Sequence, residues 1–432
     1  MNSSKWNVQV HSEIGELEAV ILHTPGPEVE NMTPGMAQRA LYSDILNLSI
    51  ARQEYEQLSG VLGKVTQIYQ VKDLLINVLD NYVVREALIG KICITERVTD
   101  YFDYLMALSS KELATQLIEG VPARMDTLTA YLNDDYYALL PLYNFYFTRD
   151  ASVSIWGNSL ISKMAAQVRM RESLIMDAVL RHNPYFSSEV INACYLASNE
   201  PDVVIEGGDI LVAREDLLIV GNGKRTSSQG IDLLIRQLCK KMGMAGGVRG
   251  GRASGKRYMV VQQLPDSPES FIHLDMVFTL LDRDKCMIYK PLILEANRFE
   301  TVLITIEEGK VSKIKSETNI LTALRRLNLD LEPVVCGGGA DRWDQEREQW
   351  HSGANFFAFA PGKVIAYARN IQTLNEMNKH GFEIIPACKV LEGKVDLGQT
   401  GKCVVTLSGS ELARGGGGAR CMTMPLRRKA LG

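Results

Sequence analysis

The first part of the chain alternates between apolar runs of strand length and a longer stretch in which apolar residues recur at helical spacing. The run Leu17–Leu22 ends at a Pro-Gly turn and predicts a strand. Residues Met36–Leu62 carry apolar side chains at helical spacing and predict a helix. The run Lys64–Val71 predicts a second strand. This order of elements indicates a mixed α/β protein.

From Leu74 to about Leu132 the pattern becomes helical throughout. The segments KDLLINVLDNYVVREALIGK, SSKELATQLIEG and PARMDTLTAYL each predict a helix. Ser109, followed shortly by the acid Glu112, is typical of the start of a capped helix. We interpret this segment as a helical subdomain inserted after the first module.

Beyond this segment, pairs of short apolar strands around a polar turn recur. Their positions are 151–164, with a Gly-Asn turn, 202–223, 276–294 and 355–370. A predicted helix follows the first, second and fourth pairs. Repeated hairpin-plus-helix units favour a pseudosymmetric α/β assembly over a doubly wound sheet. The segments 245–257 and Leu391–Ser410 are interpreted as loops or insertions.

Composition and charge exclude several classes of protein. The chain has 432 residues, of which 46% are hydrophobic and 23% charged, a mix typical of globular proteins and enough for several modules. Its 47 Lys and Arg nearly balance its 51 Asp and Glu, which argues against binding to nucleic acid. The N-terminus shows no signal-peptide pattern, and no run reaches the roughly 18 apolar residues of a membrane helix. We therefore expect a cytoplasmic protein without a membrane partner.

Eight cysteines are scattered along the chain without a CxxC pair, which argues against a disulfide framework and a structural zinc site. They are Cys93, Cys194, Cys239, Cys286, Cys336, Cys388, Cys403 and Cys421. We interpret most of them as small buried hydrophobic residues. Cys421 differs, because it lies between ELARGGGGAR and MTMPLRRK. Such cationic surroundings are expected to lower the pKa of its thiol and favour the thiolate.

Three other polar clusters accompany the predicted hairpins, where a rigid scaffold can display functional side chains. They are NFYFTRD at 144–150, EGGD at 206–209 and HLD at 273–275. A cysteine, a histidine and several acids are the minimum for thiolate chemistry on a cationic substrate. The combination is therefore more informative than any of its members.

Each candidate also has a purely structural interpretation that the residues alone leave open. Asp150 would serve equally as a turn or cap residue. Glu206 would be exposed by a bulge. Taken singly, His273 is more often a hydrogen-bonded core histidine, and Cys421 more often an inert thiol.

Two glycine-rich stretches have weaker functional interpretations. GNGKRTSS lacks the upstream glycine that a phosphate-binding loop requires at its spacing. GGVRGGRASGKR is basic, but it has no interleaved aromatic residues of the kind that stack on nucleic-acid bases. A solvated basic loop is the favoured interpretation there, so no nucleic-acid partner is expected.

Taken in order, these clusters resemble the arginine deiminases, members of the guanidino-group-modifying (pentein) superfamily. The matching stretches are SEIGELEAVILHTPG, NFYFTRD, RMRES, EGGDILV, GKRTS, HLDMVFT, CGGG, REQWHSGANFFAFAPGKVIAYARN and RGGGGARCMTMPLRR. The resemblance implies a five-bladed pseudosymmetric α/β propeller of ββαβ modules with an inserted helical subdomain. It divides the chain into a first module at 1–73, the helical subdomain at 74–135, and the remaining modules, which carry the catalytic site, at 136–432.

The resemblance also implies a role for each candidate residue. Cys421 would attack the guanidinium carbon, which Asp150 and Asp275 would hold through its nitrogens. His273 would be the general acid and base, oriented by Glu206. The expected substrate-binding residues are Asn144, Phe147, Arg169, Arg225 and Gly415. Neither metal nor cofactor is expected, because the substrate carries its own positive charge.

The expected activity is hydrolysis of free L-arginine to citrulline and ammonia through a covalent thiouronium, by a homo-oligomer. Alternatives are an amidinotransferase, a hydrolase of a modified arginine or of citrulline, and a non-catalytic binding protein. The chain departs from the family pattern at Gly416, where a second arginine is common, and over Leu391–Ser410, which is longer than usual. We expect Gly415–Arg420 to form a lid whose glycines let it open and close.

Overall fold

The structure, a computed structural model, describes residues 5–33, 37, 42, 44–132, 136–245, 255–339 and 341–431. Its strands are Trp6–Asn7, Leu17–Leu22, Gln67–Gln70, Val121–Pro122, Tyr137–Leu139, Ser152–Ile155, Asn158–Ile161, Phe186–Ser187, Glu189–Asn192, Ile210–Arg214, Leu217–Asn222, Arg257–Gln263, Phe278–Leu280, Lys285–Ile288, Thr301–Glu307, Lys310–Glu317, Glu332–Val335, Phe357–Ala360, Lys363–Tyr367, Glu383–Pro386, Cys403–Leu407 and Met424–Arg428.

Helices are distributed along the whole chain. The α-helices are Pro27–Glu30, Leu48–Gly63, Val71–Leu79, Tyr82–Glu96, Phe102–Ala107, Ser110–Glu119, Leu128–Tyr131, Thr148–Ala151, Met170–His182, Ala193–Leu196, Ser228–Ala245, Lys290–Ile293, Ile320–Arg326, Arg342–Trp350, Ile371–Lys379 and Ala387–Leu391. Short 3-10 turns are Thr99–Tyr101, Gln167–Arg169, Gly207–Asp209, Glu269–Phe271, Leu274–Met276 and Leu412–Gly415. Within the described ranges, no helix is long and apolar enough to cross a membrane.

Five of the sheets among the described residues repeat one arrangement: an antiparallel pair of strands whose second member pairs in parallel with a later strand. In one of them, Ser152–Ile155 pairs with Asn158–Ile161, which pairs with Glu189–Asn192 beyond the helix Met170–His182. This confirms the predicted mixed α/β class with hairpin-plus-helix units.

The first sheet is completed by the last strand of the chain. Met424–Arg428 runs antiparallel to Leu17–Leu22, which in turn pairs in parallel with Gln67–Gln70. The strand predicted at Leu17–Leu22 is thus confirmed. Pairing of the two chain ends brings Cys421, three residues before the last strand, next to residues from the start of the chain.

The predicted loop at Leu391–Ser410 is wrong in its second half. Residues Cys403–Leu407 form a fully buried strand that lies between Lys363–Tyr367 and Glu383–Pro386, parallel to both. Its sequence, CVVTL, is apolar and β-branched, which suits a strand flanked on both edges. The surrounding glycines and charged residues concealed this short run.

Two helical predictions differ from the structure. The helix predicted over Met36–Leu62 begins at Leu48, because the Asn47 side chain accepts a hydrogen bond from the Ile50 amide and caps it there. Of the predicted start, residues 36, 38–41 and 43 lie outside the described residues. The Lys64–Val71 run is a strand only over Gln67–Gln70, since Val71 begins the next helix.

The segment from Leu74 to Leu132 is mainly helical as far as Glu119, and of the third predicted helix only the short turn Leu128–Tyr131 is helical. The Ser109–Glu112 capping box is present as predicted. Gly120, with φ of 99°, ends that helix, and Val121–Pro122 pairs antiparallel with Tyr137–Leu139 instead of continuing helically.

The turn predicted at Gly-Asn falls one residue earlier. Trp156 and Gly157 connect the hairpin, while Asn158 is already in the second strand and pairs with Ile155. Trp156 adopts the left-handed φ of 54°. Its indole donates a hydrogen bond to the Arg214 carbonyl oxygen at 3.1 Å, which holds the ring in place. Tertiary contact therefore outweighs the usual turn preference.

Candidate active site

Cys421 lies between the glycine run and the last strand, and its side chain is buried. Its Sγ atom is 3.7 and 3.9 Å from the two carboxylate oxygens of Asp275. The side-chain amide of Asn355 donates a hydrogen bond to the same sulfur at 3.2 Å. The thiol is thus set among polar groups at the floor of a closed site.

His273 and Glu206 form a buried pair. Each lies immediately before a 3-10 turn, in extended backbone, rather than within an apolar strand or hairpin as predicted. His273 Nε2 is 2.8 Å from Glu206 Oε2, and Glu206 Oε1 accepts a hydrogen bond from the Ala165 amide at 2.9 Å. A Cβ atom at Gly208 would lie 2.5 Å from His273 Nδ1, so the second glycine of EGGD makes room for the imidazole.

Asp150 belongs to a second buried network with Arg169 and Glu172. Arg169 Nη1 donates to Asp150 Oδ2 at 2.7 Å, and its Nη2 donates to Glu172 Oε2 at 2.8 Å. Asp150 Oδ1 has no hydrogen-bond partner in the described part of the chain and lies 3.7 Å from His273 Nδ1. An oxygen of Asp150 is therefore free to accept a hydrogen bond from a ligand.

Arg225 is the most peripheral of the predicted residues. Its Nη1 is 3.6 Å from Glu206 Oε1. Within the described ranges this Nη1 has no hydrogen-bond partner, although the side chain is buried. The neighbouring Thr226 hydroxyl accepts a hydrogen bond from the Glu206 amide at 3.1 Å, which ties the Arg225 loop to the His273–Glu206 pair.

These networks meet at one small cavity. It is lined by Asn144, Phe147, Asp150, Arg169, Ile272, His273, Gly415, Gly416, Gly417 and Cys421. Its volume of about 20 Å³ is enough for about one water molecule. Seven of the predicted site residues line this cavity, whereas Glu206, Asp275 and Arg225 are not among its lining residues. A ligand the size of an amino acid enters only if the wall moves.

The glycine run forms part of that wall. A Cβ atom at Gly417 would lie 2.5 Å from the Phe147 ring, so the absence of a side chain lets the loop lie flat against it. The Tyr367 hydroxyl donates to the Gly417 carbonyl oxygen at 3.0 Å. Gly416 has φ of 83° and no atom within 4 Å of its would-be Cβ atom, so its backbone angle, not crowding, favours glycine. The lid itself stays a prediction.

The prediction that cationic surroundings lower the pKa of the Cys421 thiol is wrong. Burial, followed by Asp275 and Asp150, raises the pKa of the thiol well above its ordinary value. Arg420 is held away by Glu13 and Asp275, at 3.1 and 2.8 Å, and Arg427 by Glu18 at 2.8 Å. Clustered positive residues in sequence therefore do not make a positive site, because Arg420 and Arg427 pair with acids and Arg428 donates to the Gly15 carbonyl oxygen.

The pKa values of His273 and Glu206, in contrast to that of the thiol, shift so that the charged form of each is favoured. Burial lowers the pKa of His273, but Asp150 and the hydrogen bond to Glu206 outweigh it and raise that pKa to about 9. Burial raises the pKa of Glu206, yet Arg225 and His273 outweigh it and lower that pKa to about 2. The resting site thus pairs an imidazolium with a carboxylate and keeps the thiol protonated at neutral pH.

Two residues near the thiol were missed by the sequence analysis. Asn355 contacts Cys421, and Glu13 binds the Arg420 guanidinium through both carboxylate oxygens at 3.1 Å. Both lie in stretches that carry the family resemblance, SEIG and GANFF, which was the available signal. Neither has a residue type that indicates chemistry by itself.

Solved structures share this fold along nearly the whole chain. The N-terminal domain of ArgZ, an arginine dihydrolase from the ornithine–ammonia cycle in cyanobacteria, superposes with a TM-score of 0.51 at 12% identity, covering 96% of this chain and 99% of that domain. SxtG, an amidinotransferase from Microseira wollei, gives 0.51 at 13% identity and 98% of each chain. The chain therefore shares its mixed α/β fold with an arginine dihydrolase domain and an amidinotransferase.

Comparison with known sequences identifies the family of the chain. The arginine deiminase family model matches residues 38–428. An arginine deiminase from Bacillus thuringiensis subsp. konkukian is 32% identical over 98% of this chain and 99% of its own length. Arginine deiminase 1 from Staphylococcus epidermidis is 31% identical over 98% of both chains. The chain belongs to the arginine deiminase family.

Proposed function

We infer that the protein hydrolyses the guanidinium group of free L-arginine to citrulline and ammonia. One observation carries the inference: a buried thiol, two carboxylates and a histidine–glutamate pair converge on one cavity in a chain that matches arginine deiminases along its length. Two acids beside a thiol disfavour its ionisation, and a bound cation reverses that effect. The site is therefore suited to a positively charged substrate.

In the mechanism we propose, Asp150 and Asp275 accept hydrogen bonds from the guanidinium nitrogens. Each already binds an arginine of the protein through Oδ2, at 2.7 and 2.8 Å, so its geometry suits a guanidinium partner. The substrate charge offsets the two carboxylates that raise the pKa of Cys421. As the substrate binds, the thiol releases its proton to solvent, and the thiolate forms next to an electrophilic carbon.

The covalent step follows from this arrangement. Sγ of Cys421 forms a bond to the guanidinium carbon, and His273, protonated below its pKa of about 9, gives its proton to the departing ammonia. The product is a thiouronium on Cys421. Neutral His273 then removes a proton from water, and the resulting hydroxide adds to the same carbon. Cleavage of the C–S bond releases the thiolate and O-protonated citrulline, which loses its extra proton to solvent as citrulline forms. Glu206 holds the imidazole through both half-reactions.

The amino-acid end of the substrate is assigned to the other wall of the cavity. We propose that Arg169 and Arg225 bind its carboxylate, with Asn144, Phe147 and the Gly415 backbone beside it. Arg169 lines the cavity while bonded to Asp150 and Glu172, so binding would exchange one carboxylate partner for another.

Replacement of the nucleophile tests this function. Cys421→Ser should lose at least about 1,000-fold in turnover while keeping the unfolding transition, because a serine hydroxyl stays protonated where a thiol ionises. Cys388→Ser, at an exposed position, is the matched control and should keep full activity. Mass spectrometry of quenched enzyme should find the substrate adduct on Cys421. Near-normal turnover by Cys421→Ser would rule out the covalent route.

A substrate panel separates the proposed activity from related ones. Arginine should give citrulline and ammonia, with much slower release from agmatine, methylarginines and citrulline. Transfer of the amidino group to an added amine would instead indicate an amidinotransferase. No turnover of any of these compounds would leave the binding protein as the remaining interpretation.

We also propose that the five repeated sheets close into a pseudosymmetric five-bladed propeller with the helical subdomain inserted. Pairing of Met424–Arg428 with Leu17–Leu22 supports closure, because it joins the last module to the first. The boundaries at 1–73, 74–135 and 136–432, the homo-oligomer and the cytoplasmic location stay predictions. Limited proteolysis, light scattering and cell fractionation test them in turn.

A further inference from the structure

The side chain of Asn355 is fixed in a single orientation beside the nucleophile. Its Oδ1 accepts hydrogen bonds from the backbone amides of Arg420, at 2.9 Å, and Cys421, at 3.4 Å. A backbone amide can only donate, so this side must be the amide oxygen. The Nδ2 group consequently faces the other way, toward three acceptors.

Two of those acceptors are the Asp275 carbonyl oxygen and the Cys421 sulfur, each 3.2 Å from Nδ2, and the third is the more distant Met276 sulfur at 3.6 Å. We propose that Asn355 is a further catalytic residue, which holds the Cys421 sulfur in place and stabilises its thiolate by donating a hydrogen bond. This inference rests on the proposed cysteine chemistry. A hydrogen bond to a charged sulfur is stronger than one to a neutral thiol, so Asn355 favours the ionised form.

The fold builds this contact from two distant segments. Asn355 is 1% exposed and precedes the strand Phe357–Ala360, and its own amide donates to the Ser352 carbonyl oxygen at 3.0 Å. A Cβ atom at Gly418 would lie 2.7 Å from Asn355 Oδ1. The last glycine of the run is therefore required for the asparagine to reach the backbone of the Cys421 turn.

The charges around the sulfur explain why a neutral donor suits this position. Besides burial, Asp275 and Asp150 raise the pKa of Cys421, and Arg420 lowers it. A lysine or arginine in place of Asn355 would favour the thiolate more strongly, but it would also repel the guanidinium of the substrate. An amide donates to the sulfur without adding charge.

Two tyrosines complete the titratable surroundings of Cys421. Tyr146 and Tyr367 both interact electrostatically with the thiol, and burial raises the pKa of each phenol above its ordinary value. Both stay neutral throughout the range in which the enzyme would work. A change in the ionisation of Cys421 on removal of Asn355 would therefore not be a secondary effect of these phenols.

The experiment measures thiol ionisation without arginine. Iodoacetamide alkylation of Cys421, followed by peptide mass spectrometry from neutral to alkaline pH, reports the thiolate fraction of wild type and Asn355→Ala. We expect the profile of Asn355→Ala to move to higher pH by about one unit, equivalent to about tenfold slower alkylation at a fixed pH. The turnover number for arginine should fall about tenfold, with KM changed by no more than about twofold.

Asn183→Ala is the matched control. Asn183 is equally buried, accepts a hydrogen bond from the Tyr185 amide at 3.0 Å and donates to the Leu74 carbonyl oxygen at 3.3 Å, remote from the site. Its alkylation profile should match that of wild type. A profile unchanged in Asn355→Ala, or shifted equally in Asn183→Ala, would overturn the inference.

Gly418→Ala provides a second route if Asn355→Ala does not fold. Its added methyl group displaces the amide without removing it, so the alkylation profile should shift in the same direction by less. An unchanged profile in a folded Gly418→Ala protein would contradict the role of Asn355. Failure of wild type to release citrulline from arginine would instead refute the proposed function, because alkylation does not depend on the substrate.

Discussion

Two buried arginines near the thiol form similar bridges. Arg169 joins Asp150 to Glu172, and Arg420 joins Asp275 to Glu13. Each arginine is at most 3% exposed, and each holds one of the two aspartates proposed to bind the substrate. The chemistry of the two bridges is the same, yet their positions in the chain and in the site differ.

Arg169 is a local bridge at the cavity. Glu172 is three residues away on the helix that follows, and the Arg169 side chain lines the cavity. Arg420 is a long-range bridge, because its partner Glu13 is 407 residues earlier. It does not line the cavity, and it also donates to the Gly208 and Ile210 carbonyl oxygens at 3.4 and 2.7 Å. One arginine can exchange partners with a ligand, while the other joins the two chain ends.

This difference indicates that residue types alone do not make a buried ion pair a substrate-binding site. Burial of charge is costly, and removal of one partner leaves the others uncompensated. Access to the cavity decides whether that charge is available to a substrate. The variants below should therefore separate stability from binding.

The largest expected effect is on folding. Arg420→Met leaves Glu13 and Asp275 buried without their cation and should lower the free energy of unfolding by about 3–5 kcal/mol. Urea denaturation followed by circular dichroism measures it. Arg325→Met removes an exposed pair with Asp330 and should cost no more than about 1 kcal/mol. Equal losses in the two variants would mean that the Arg420 bridge contributes no more than a surface pair.

Arg169→Met should also lower stability, because it leaves Asp150 and Glu172 without their cation, but unlike Arg420→Met it should weaken substrate binding as well. Loss of a charged hydrogen bond to the substrate carboxylate should raise KM for arginine about 10- to 100-fold and reduce the preference for arginine over agmatine, which has no carboxylate. Steady-state kinetics with both substrates measure this. A variant that still discriminates against agmatine as strongly as wild type would show that Arg169, like Arg420, is purely structural.

The pH dependence of stability should distinguish the histidine pair from the Arg420 bridge. The folded-state pKa of His273, about 9, lies above the ordinary 6.5, so its contribution is complete below pH 6.5 and is lost as pH rises to about 9. Glu13, with a pKa of about 2 instead of 4.5, contributes above pH 4.5 and loses that contribution as pH falls toward 2. We expect the alkaline loss to be about 3 kcal/mol, since one pKa unit corresponds to about 1.4 kcal/mol.

Urea unfolding across this pH range measures both the alkaline and the acid loss of stability. His273→Gln should remove the alkaline loss, whereas Glu13→Gln should keep the alkaline loss and reduce the acid one, to which Glu206 also contributes. A His273→Gln protein with an unchanged alkaline slope would show that another group titrates there.

The smallest effect is expected at Gly416. Its left-handed φ of 83° disfavours other residues, so Gly416→Ala should cost about 1 kcal/mol of stability even though nothing crowds the position. Gly416→Asn, which tolerates this region better, should recover part of the loss. Thermal unfolding and KM measured together decide its role. A change in KM without a change in stability would instead favour the lid function expected of this loop.

The sequence by itself determined the mixed α/β class, the strand Leu17–Leu22, the hairpin-plus-helix units and the set of residues around the cavity. Strand and helix periodicities depend on local sequence, so they can be recognised without knowing which segments pack together. Motifs such as HLD and EGGD also contain the candidate residues His273, Asp275 and Glu206. The resemblance to arginine deiminases then connected motifs hundreds of residues apart.

Only the tertiary structure decided how charge is shared. Arg420 looked like a neighbour that would activate Cys421, but Glu13 and Asp275 bind it, and the pKa of the thiol is raised. Asn355 became part of the site because the fold brings Gly418 against it. Such pairings depend on contacts between remote segments, and the energy of a buried charge is set by those contacts and not by its neighbours in sequence.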